Sequence, residues 1–246
     1  MNRNNDYYFF PLGLLHGFLD SPSKCCEDVI NWLIAKDIEN MHGGIDEDDY
    51  MVIDDELTRC YDNDTYMPCG WRVDPQECDI ILRVYNKFAN ETNTCFVSIS
   101  RTYFDNIKEK GDNLTEWERV VFLGYVALKS IEGRKRTVCK ANNALMFKRM
   151  ACCVGIKSNV SVGKELKKYS NNYYMHKLRN ELQSQFHNVK IYATHTRGFY
   201  FTTRRDISRD KVVECALKAK KSYKETRLQK LNKACEERVK ASLELS

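Results

Sequence analysis

The segment from Asn188 to Asp206 has the pattern of two short β-strands joined by a turn. Apolar or β-branched residues alternate with other residues on both sides of the turn, as expected of strands with one buried face: Val189, Ile191, Ala193, Phe199, Phe201 and Thr203. Gly198 closes the turn, where a tight hairpin needs a residue that adopts positive φ. The hairpin therefore carries basic side chains outward or at its exit: Lys190, Arg197, Arg204 and Arg205.

Two helices are predicted upstream of this hairpin. Thr115 and Glu118 have the T-x-x-E spacing of a capping box, in which each side chain satisfies a backbone N–H of the other residue. The helix that begins there is expected to run to Gly133 with one apolar side: Trp117, Val121, Tyr125, Leu128 and Ile131. A short basic segment follows over residues 134–139, and a second helix is expected over Asn142–Cys153.

A third helix is predicted from about Ser170 to Phe186. Its apolar residues, which include Leu178 and Leu182, recur at helical spacing and would dock the helix on its neighbours. Its opposite face carries amide, imidazole and guanidinium side chains: Asn172, His176, Arg179, Asn180 and Gln183. Asn and Gln pair bidentately with adenine, and Arg pairs with guanine, so this face favours a base-reading surface. An ordinary solvated helix face is the alternative.

Charge is divided unevenly along the chain. Residues 1–94 contain 7 Lys and Arg against 19 Asp and Glu, whereas residues 95–246 contain 32 against 15. From Arg134 to Arg205 there are 16 basic residues and only two acidic ones. Each phosphate that a Lys or Arg neutralises releases counterions, so this density favours a polyanionic partner. A basic face kept only for solubility normally mixes both signs.

The predicted order of helix, short strand, helix, helix and hairpin over residues 115–203 resembles that of the winged-helix DNA-binding superfamily. The resemblance implies that Ser170–Phe186 is a recognition helix that enters a major groove. It also implies that the wing, Val189–Thr203, contacts the DNA backbone or the minor groove. Residues 154–169 form a longer connection than a helix-turn-helix normally has, so either an insertion with a short helix around Gly163–Lys168 lies there or the match is partly accidental.

Double-stranded DNA is therefore the predicted partner, and no cofactor is expected. The polar side of the third helix would meet bases, and basic residues in and around the predicted domain would hold phosphates. The phosphate-binding candidates are Arg134, Lys135, Arg136, Lys148, Arg149, Lys167, Lys168, Lys190, Arg197, Arg204 and Arg205.

The flanking regions are predicted to be helical. Within residues 1–94, one helix starts near Ser21 and another near Asp74. No Pro or Gly occurs after Asp206, which predicts one long C-terminal helix that packs on its own domain, with dimerisation as the alternative. The expected fold is mainly α with a small β-hairpin, an α+β class. Its expected parts are an acidic helical domain (1–94), a basic winged-helix-like domain (95–205) and a C-terminal helix (206–246).

The predicted function is a non-catalytic DNA-binding protein that acts as a monomer or homodimer. The winged-helix resemblance implies a transcriptional regulator or a replication-initiation factor, of a phage or mobile element. Two alternatives stay open. The acidic residues 1–94 would bind a basic protein partner or mask the basic domain, or one of the tyrosines would be the nucleophile of a DNA-nicking enzyme.

Other classes find little support in the sequence. The five histidines form no HxH or HExxH arrangement, and no phosphate-loop or Rossmann glycine pattern occurs. Cys60, Cys69 and Cys78 are not spaced like zinc ligands, so no metal is expected. The apolar run Phe9–Leu19 is too short to span a bilayer, so the expectation is a cytoplasmic protein with no membrane partner.

Overall fold

The structure, a computed structural model, describes residues 6–43, 49–89, 95–133, 137–152, 164–194 and 198–243. In these ranges the protein is mainly helical, with one antiparallel sheet of two strands and one of three. The predicted class, mainly α with a small β component, is confirmed at this level.

Contacts between residues group the chain into two compact units. The first contains residues 1–134 and 143–182, and the second contains residues 135–142 and 183–246. The hairpin region and the C-terminal helix thus fall into one unit. The predicted division at 94/95 and 205/206 follows charge and sequence pattern rather than these contacts.

The N-terminal part of the first unit combines helices with a small sheet. Its described strands and helices are β1 (Tyr7–Pro11), α1 (Pro22–His42), α2 (Asp49–Asp62), α3 (Cys78–Ala89), β2 (Phe96–Ser100) and α4 (Arg101–Lys110). The helix predicted near Ser21 is α1, which has Pro22 at its first position, where the missing N–H costs nothing. Near Asp74, the Asp74 carboxylate accepts the Gln76 N–H at 3.0 Å and caps a short 3₁₀ turn that leads into α3.

The sheet formed by β1 and β2 differs from the predicted helical N-terminal region. The strands pair antiparallel, with Phe9 opposite Ser98. Tyr8 and Phe10 are buried, whereas Tyr7 and Phe9 on the other face are exposed. Both faces of β1 carry aromatic residues and its partner strand is distant in sequence, so neither a polar alternation nor a local hairpin signal marks this sheet.

The central helix of the first unit is α5 (Glu116–Glu132). The predicted capping box is confirmed, because the Thr115 N–H donates to Glu118 Oε2 at 2.9 Å and the Glu118 N–H donates to Thr115 Oγ1 at 3.3 Å. The prediction of a single apolar side is wrong, since every residue from Val120 to Leu128 is buried. The physical reason is that β2 and the next helix both pack on α5.

The remaining helices of the first unit are α6 (Asn143–Met150), α7 (Lys164–Lys167) and α8 (Asn172–Gln185), whose last residues group with the second unit. α7 lies where one of the two open alternatives placed a short helix, around Gly163–Lys168. Leu178 and Leu182 of α8 are buried, as predicted. Gly124 of α5 permits a close approach to α8, because a Cβ at this position would lie 3.0 Å from Leu178 Cδ1.

The second unit contains a three-stranded antiparallel sheet built from β3 (Cys139–Ala141), β4 (Lys190–Thr194) and β5 (Gly198–Thr202), in the order β3-β5-β4. The predicted hairpin is confirmed as β4 and β5, whereas residues 195–197 of its turn lie outside the described residues. Gly198 has φ 107°, and a Cβ there would overlap the Ala141 carbonyl oxygen. Glycine at this position therefore permits both this positive φ and the pairing of β3 with β5.

The C-terminal helix, α9 (Arg209–Leu243), covers one face of this sheet. Val212 and Ala216 pack with Tyr200 in a small apolar cluster. Phe199 and Phe201 are also buried, so β5 is covered on both faces and the predicted single buried face is wrong for this strand. The reason is the packing of α9, which strand periodicity alone does not reveal.

Among the described side chains of α9, those that pack on the sheet lie in its first turns. Every side chain from Lys220 to Arg238 is exposed. The prediction of one long helix is confirmed, and dimerisation through it stays a prediction. Within the described ranges, no helix combines the length and apolarity needed to cross a membrane.

Candidate nucleic-acid interface

The polar face of α8 is the surface on which base reading was predicted, and its members are Asn172, His176, Arg179, Asn180 and Gln183. Three of them, Asn172, His176 and Asn180, are exposed and spaced four residues apart, so they form one row along the helix. The Asn180 amide nitrogen lies 3.2 Å from a ring nitrogen of His176. This row presents amide and imidazole groups to solvent, and their donors and acceptors can form hydrogen bonds with base edges.

Arg179 is half-buried and holds two helices together. Its Nη1 donates to Asn143 Oδ1 at 2.6 Å, and the Asn143 amide nitrogen donates to Asn172 Oδ1 at 3.4 Å. Burial lowers the pKa of Arg179. At least one guanidinium donor thus ties α8 to the start of α6, so we assign Arg179 a positioning role for the exposed row.

Gln183, in the last turn of α8, also makes an internal contact. Its Oε1 accepts the backbone N–H of Ile191, the second residue of β4, at 3.0 Å. This bond fixes the last turn of α8 to the hairpin within the second unit. Gln183 therefore has a structural role. Helical periodicity alone does not distinguish such a residue from a glutamine that faces solvent.

The basic residues of the first unit differ in their exposure. Lys167 and Lys168 are exposed, whereas Lys148 and Arg149 are half-buried. Lys168 forms an ion pair with Glu116. An exposed lysine on α8 that was absent from the predicted set, Lys177, lies with its Nζ 4.4 Å from the ring centroid of Trp117.

The basic residues around the hairpin are partly used within the second unit. The Lys190 ammonium donates to the carbonyl oxygens of Arg204 at 3.0 Å and Arg205 at 3.5 Å, and also to that of Ile207. Arg204 pairs with the Asp206 carboxylate through Nε at 2.9 Å and Nη2 at 3.1 Å. Arg205 is exposed. The remaining phosphate-binding candidates, Arg134, Lys135, Arg136 and Arg197, lie outside the described residues.

A basic surface that the sequence prediction did not include lies on α9. Residues 209–243 contain 11 Lys and Arg against five Asp and Glu. Lys220, Lys221, Lys224, Arg227 and Lys230 belong to its exposed part. The signal is present in the sequence as the high lysine content after Asp206, but it lies beyond the region that the winged-helix resemblance covers.

The described part of the chain thus offers an exposed row of amide and imidazole groups in the first unit and an exposed basic helix in the second. Comparison with known protein families, with curated proteins and with solved structures finds no match to this chain.

Proposed function

We propose that this protein is a non-catalytic DNA-binding protein of winged-helix type. The observation that carries the proposal is the exposed row Asn172, His176 and Asn180 on α8, the helix that precedes the hairpin. The order of elements from α5 to β5, with β3 pairing against the hairpin, supports it further. In such a protein α8 is the helix that enters the major groove.

The amide groups of this row have the chemistry for base contacts. An asparagine can donate to adenine N7 and accept from adenine N6, and histidine can donate to an acceptor on a base edge. Because Arg179 and Asn143 fix the start of α8, the exposed row is held on a rigid element rather than on a loop. Rigid placement reduces the entropy lost on binding.

Phosphate contacts would come from exposed cations rather than from all of the predicted basic residues. Lys167, Lys177 and Arg205 are exposed, and α9 adds a run of exposed lysines. Lys190 is excluded from this set because its ammonium is bonded to backbone carbonyls. Each phosphate neutralised by such a cation makes affinity fall more steeply with salt.

Fluorescence anisotropy with labelled duplex DNA tests this function. The double variant His176→Ala with Asn180→Ala should lower affinity for a selected preferred duplex by about tenfold and change affinity for random duplex little, because base contacts carry the discrimination. Arg205→Gln should weaken binding to both duplexes and lower the salt slope by about 1. Arg83→Gln, an exposed arginine of α3, removes the same charge from the acidic region and serves as the matched control.

Failure to bind duplex DNA at low salt would exclude the proposal. Equal effects of Arg205→Gln and Arg83→Gln would show that net charge alone, and no defined surface, governs binding. A preferred duplex that matches promoter sequences would indicate a transcriptional regulator, and one that matches a replication origin would indicate an initiation factor.

A second candidate function is capture of a basic protein partner by the acidic N-terminal region. It is favoured by exposed carboxylates on and between α2 and α3: Asp54, Asp55, Asp62, Asp74, Glu77 and Asp79. Charges of one sign on one region raise association rates with an oppositely charged partner. Replacing Asp54 and Asp55 by Asn should weaken retention of this chain on a polylysine surface at low salt, and unchanged retention would count against this function.

A further inference from the structure

The first unit contains a cavity of about 560 Å³, and none of its lining residues belongs to α8. β1, α1, α3, the start of β2 and the start of α4 form its walls. A volume of this size accommodates a small organic molecule. The proposed DNA contacts leave this cavity unused.

The walls of the cavity carry pairs of nearly parallel aromatic rings. Phe9 stacks on Phe96 with ring centroids 4.9 Å apart and an interplanar angle of 11°. Trp32 stacks on Tyr85 at 5.9 Å and 19°. Phe9 is 45% exposed, so its ring has surface left for a further partner. Such rings favour a planar ligand that stacks on them.

Arg101 adds a cation with unfilled bonding capacity to the lining. Its Nη2 donates to the Pro68 carbonyl oxygen at 3.2 Å, and its guanidinium carbon lies 5.0 Å from the Tyr8 ring centroid. Arg101 is half-buried and lines the cavity, so the accessible part of its guanidinium can donate to an oxygen acceptor on a ligand.

The other charged groups of the lining are Lys36, Asp37 and Glu39. Lys36 forms an ion pair with Glu39, and its ammonium lies 5.8 Å from the Trp32 ring centroid. The Asp37 carboxylate accepts the Cys69 N–H at 2.5 Å. Because Lys36 already occupies the cation position over the rings, a cationic ligand would meet like charge there. The lining carries Lys36 and Arg101 against Asp37 and Glu39, so Arg101 is the group that would bind an anionic oxygen of a planar ligand.

We propose that this cavity binds a small aromatic anion, either an aromatic carboxylate or a nucleotide. The ring would stack on the Phe9 and Phe96 surface, and the carboxylate or phosphate would accept from Arg101, whose planar guanidinium matches both groups. The site is independent of the proposed DNA binding, so either proposal can fail without the other.

Isothermal titration calorimetry with the full chain tests the site. The probes are indole-3-acetate for the carboxylate source and AMP for the phosphate source. Indole and adenosine lack the anion, whereas acetate and inorganic phosphate lack the ring. At least one complete probe should bind ten or more times more tightly than both of its partial counterparts, because ring and anion contribute together.

Two variants locate the binding. Arg101→Met should weaken the complete probe by about 10- to 100-fold, the range for a lost hydrogen bond to a charged group. Phe9→Ala should weaken it by about tenfold through lost stacking. Arg83→Met and Tyr61→Ala change exposed residues that do not line the cavity, so they should bind as the unaltered protein does. Thermal melts verify that each variant is folded. If Arg101→Met does not fold, Phe9→Ala alone tests the site.

The proposal is overturned if neither complete probe binds at millimolar concentration. It is also overturned if acetate or phosphate binds as tightly as the complete probe, or if the folded cavity variants bind it unchanged.

Discussion

The sequence assigns Lys190 a phosphate-binding role, whereas the structure gives it a structural one. The substitution Lys190→Met separates the two roles. The substitution keeps a long apolar side chain and removes the ammonium. In the structure that ammonium bonds to the carbonyl oxygens of Arg204, Arg205 and Ile207, and it thereby fixes the segment between β5 and α9. We expect the variant to lose stability rather than DNA affinity.

The size of the loss follows from the geometry. One hydrogen bond to a charged group contributes about 1.5–3 kcal/mol net. Lys190 is half-buried, so water can partly replace the ammonium at the freed carbonyls. The expected loss is therefore that of about one strong bond, roughly 2 kcal/mol, rather than the sum of three. For a chain of this size, that corresponds to a fall in Tm of about 4–8 °C.

Thermal unfolding followed by circular dichroism measures this loss. Lys221→Met, which removes an ammonium from the exposed part of α9, is the matched control and should leave Tm within about 1 °C, the range of ordinary surface substitutions. If Lys190→Met keeps the Tm of the unaltered protein but lowers the salt slope of DNA binding by about 1, Lys190 contacts phosphate and the structural role is wrong.

Three further predictions concern stability. Thr115→Ala removes the capping-box acceptor of α5 and should lower the free energy of unfolding by about 1 kcal/mol in urea titrations, whereas an unchanged midpoint would show that the cap is dispensable. Hydrogen bonds from Lys110 and Thr115 lower the pKa of Glu118 to about 2, so its stabilising effect is complete above its unfolded pKa of about 4.3 and disappears as pH falls towards 2. Glu118→Gln should therefore weaken the dependence of the free energy of unfolding on pH in this window. An unaltered pH dependence would contradict the assignment. Gly198→Ala should cost about 2 kcal/mol or more and speed amide exchange in β3 and β5, because the new Cβ overlaps the Ala141 carbonyl; exchange rates equal to those of the parent chain would refute this.

The elements with local signals were predictable from the sequence. The capping box at Thr115 and Glu118, the positive φ of Gly198 and the long α9 without Pro or Gly each depend on residues close together in the chain. Local hydrogen bonds and backbone sterics fix such features, so one sequence is sufficient to recognise them.

The features that depend on tertiary packing were not predictable in this way. β1 pairs with β2, which is distant in sequence, with Tyr7 opposite Ser100. The residues of α5 from Val120 to Leu128 are buried because β2, which precedes α5 in the chain, and α6, which follows it, both pack on this helix. Likewise, α9 buries the second face of β5. Sequence periodicity indicates that a segment buries one face, but it does not show how many other elements pack against that segment.

The candidate interface shows the same limit at the level of side chains. Asn172, His176 and Asn180 are exposed on one row of α8, as helical spacing predicts. Gln183 and Lys190 have residue types suited to nucleic acid, yet their polar atoms bond to the backbone of the same unit. Sequence identifies which groups can hydrogen-bond, whereas the partner of each group is fixed only by the fold.

The salt dependence of binding to duplex DNA tests the central claim most directly. Affinity of the unaltered full chain is measured by anisotropy between about 50 and 200 mM salt, and the logarithm of the association constant is plotted against the logarithm of the salt concentration. If about four to six of the exposed cations contact phosphates, the slope lies between about −3.5 and −5.5, since each contact contributes about −0.9. A slope near zero, or no binding at the lowest salt concentration, would contradict the proposal that this protein binds DNA.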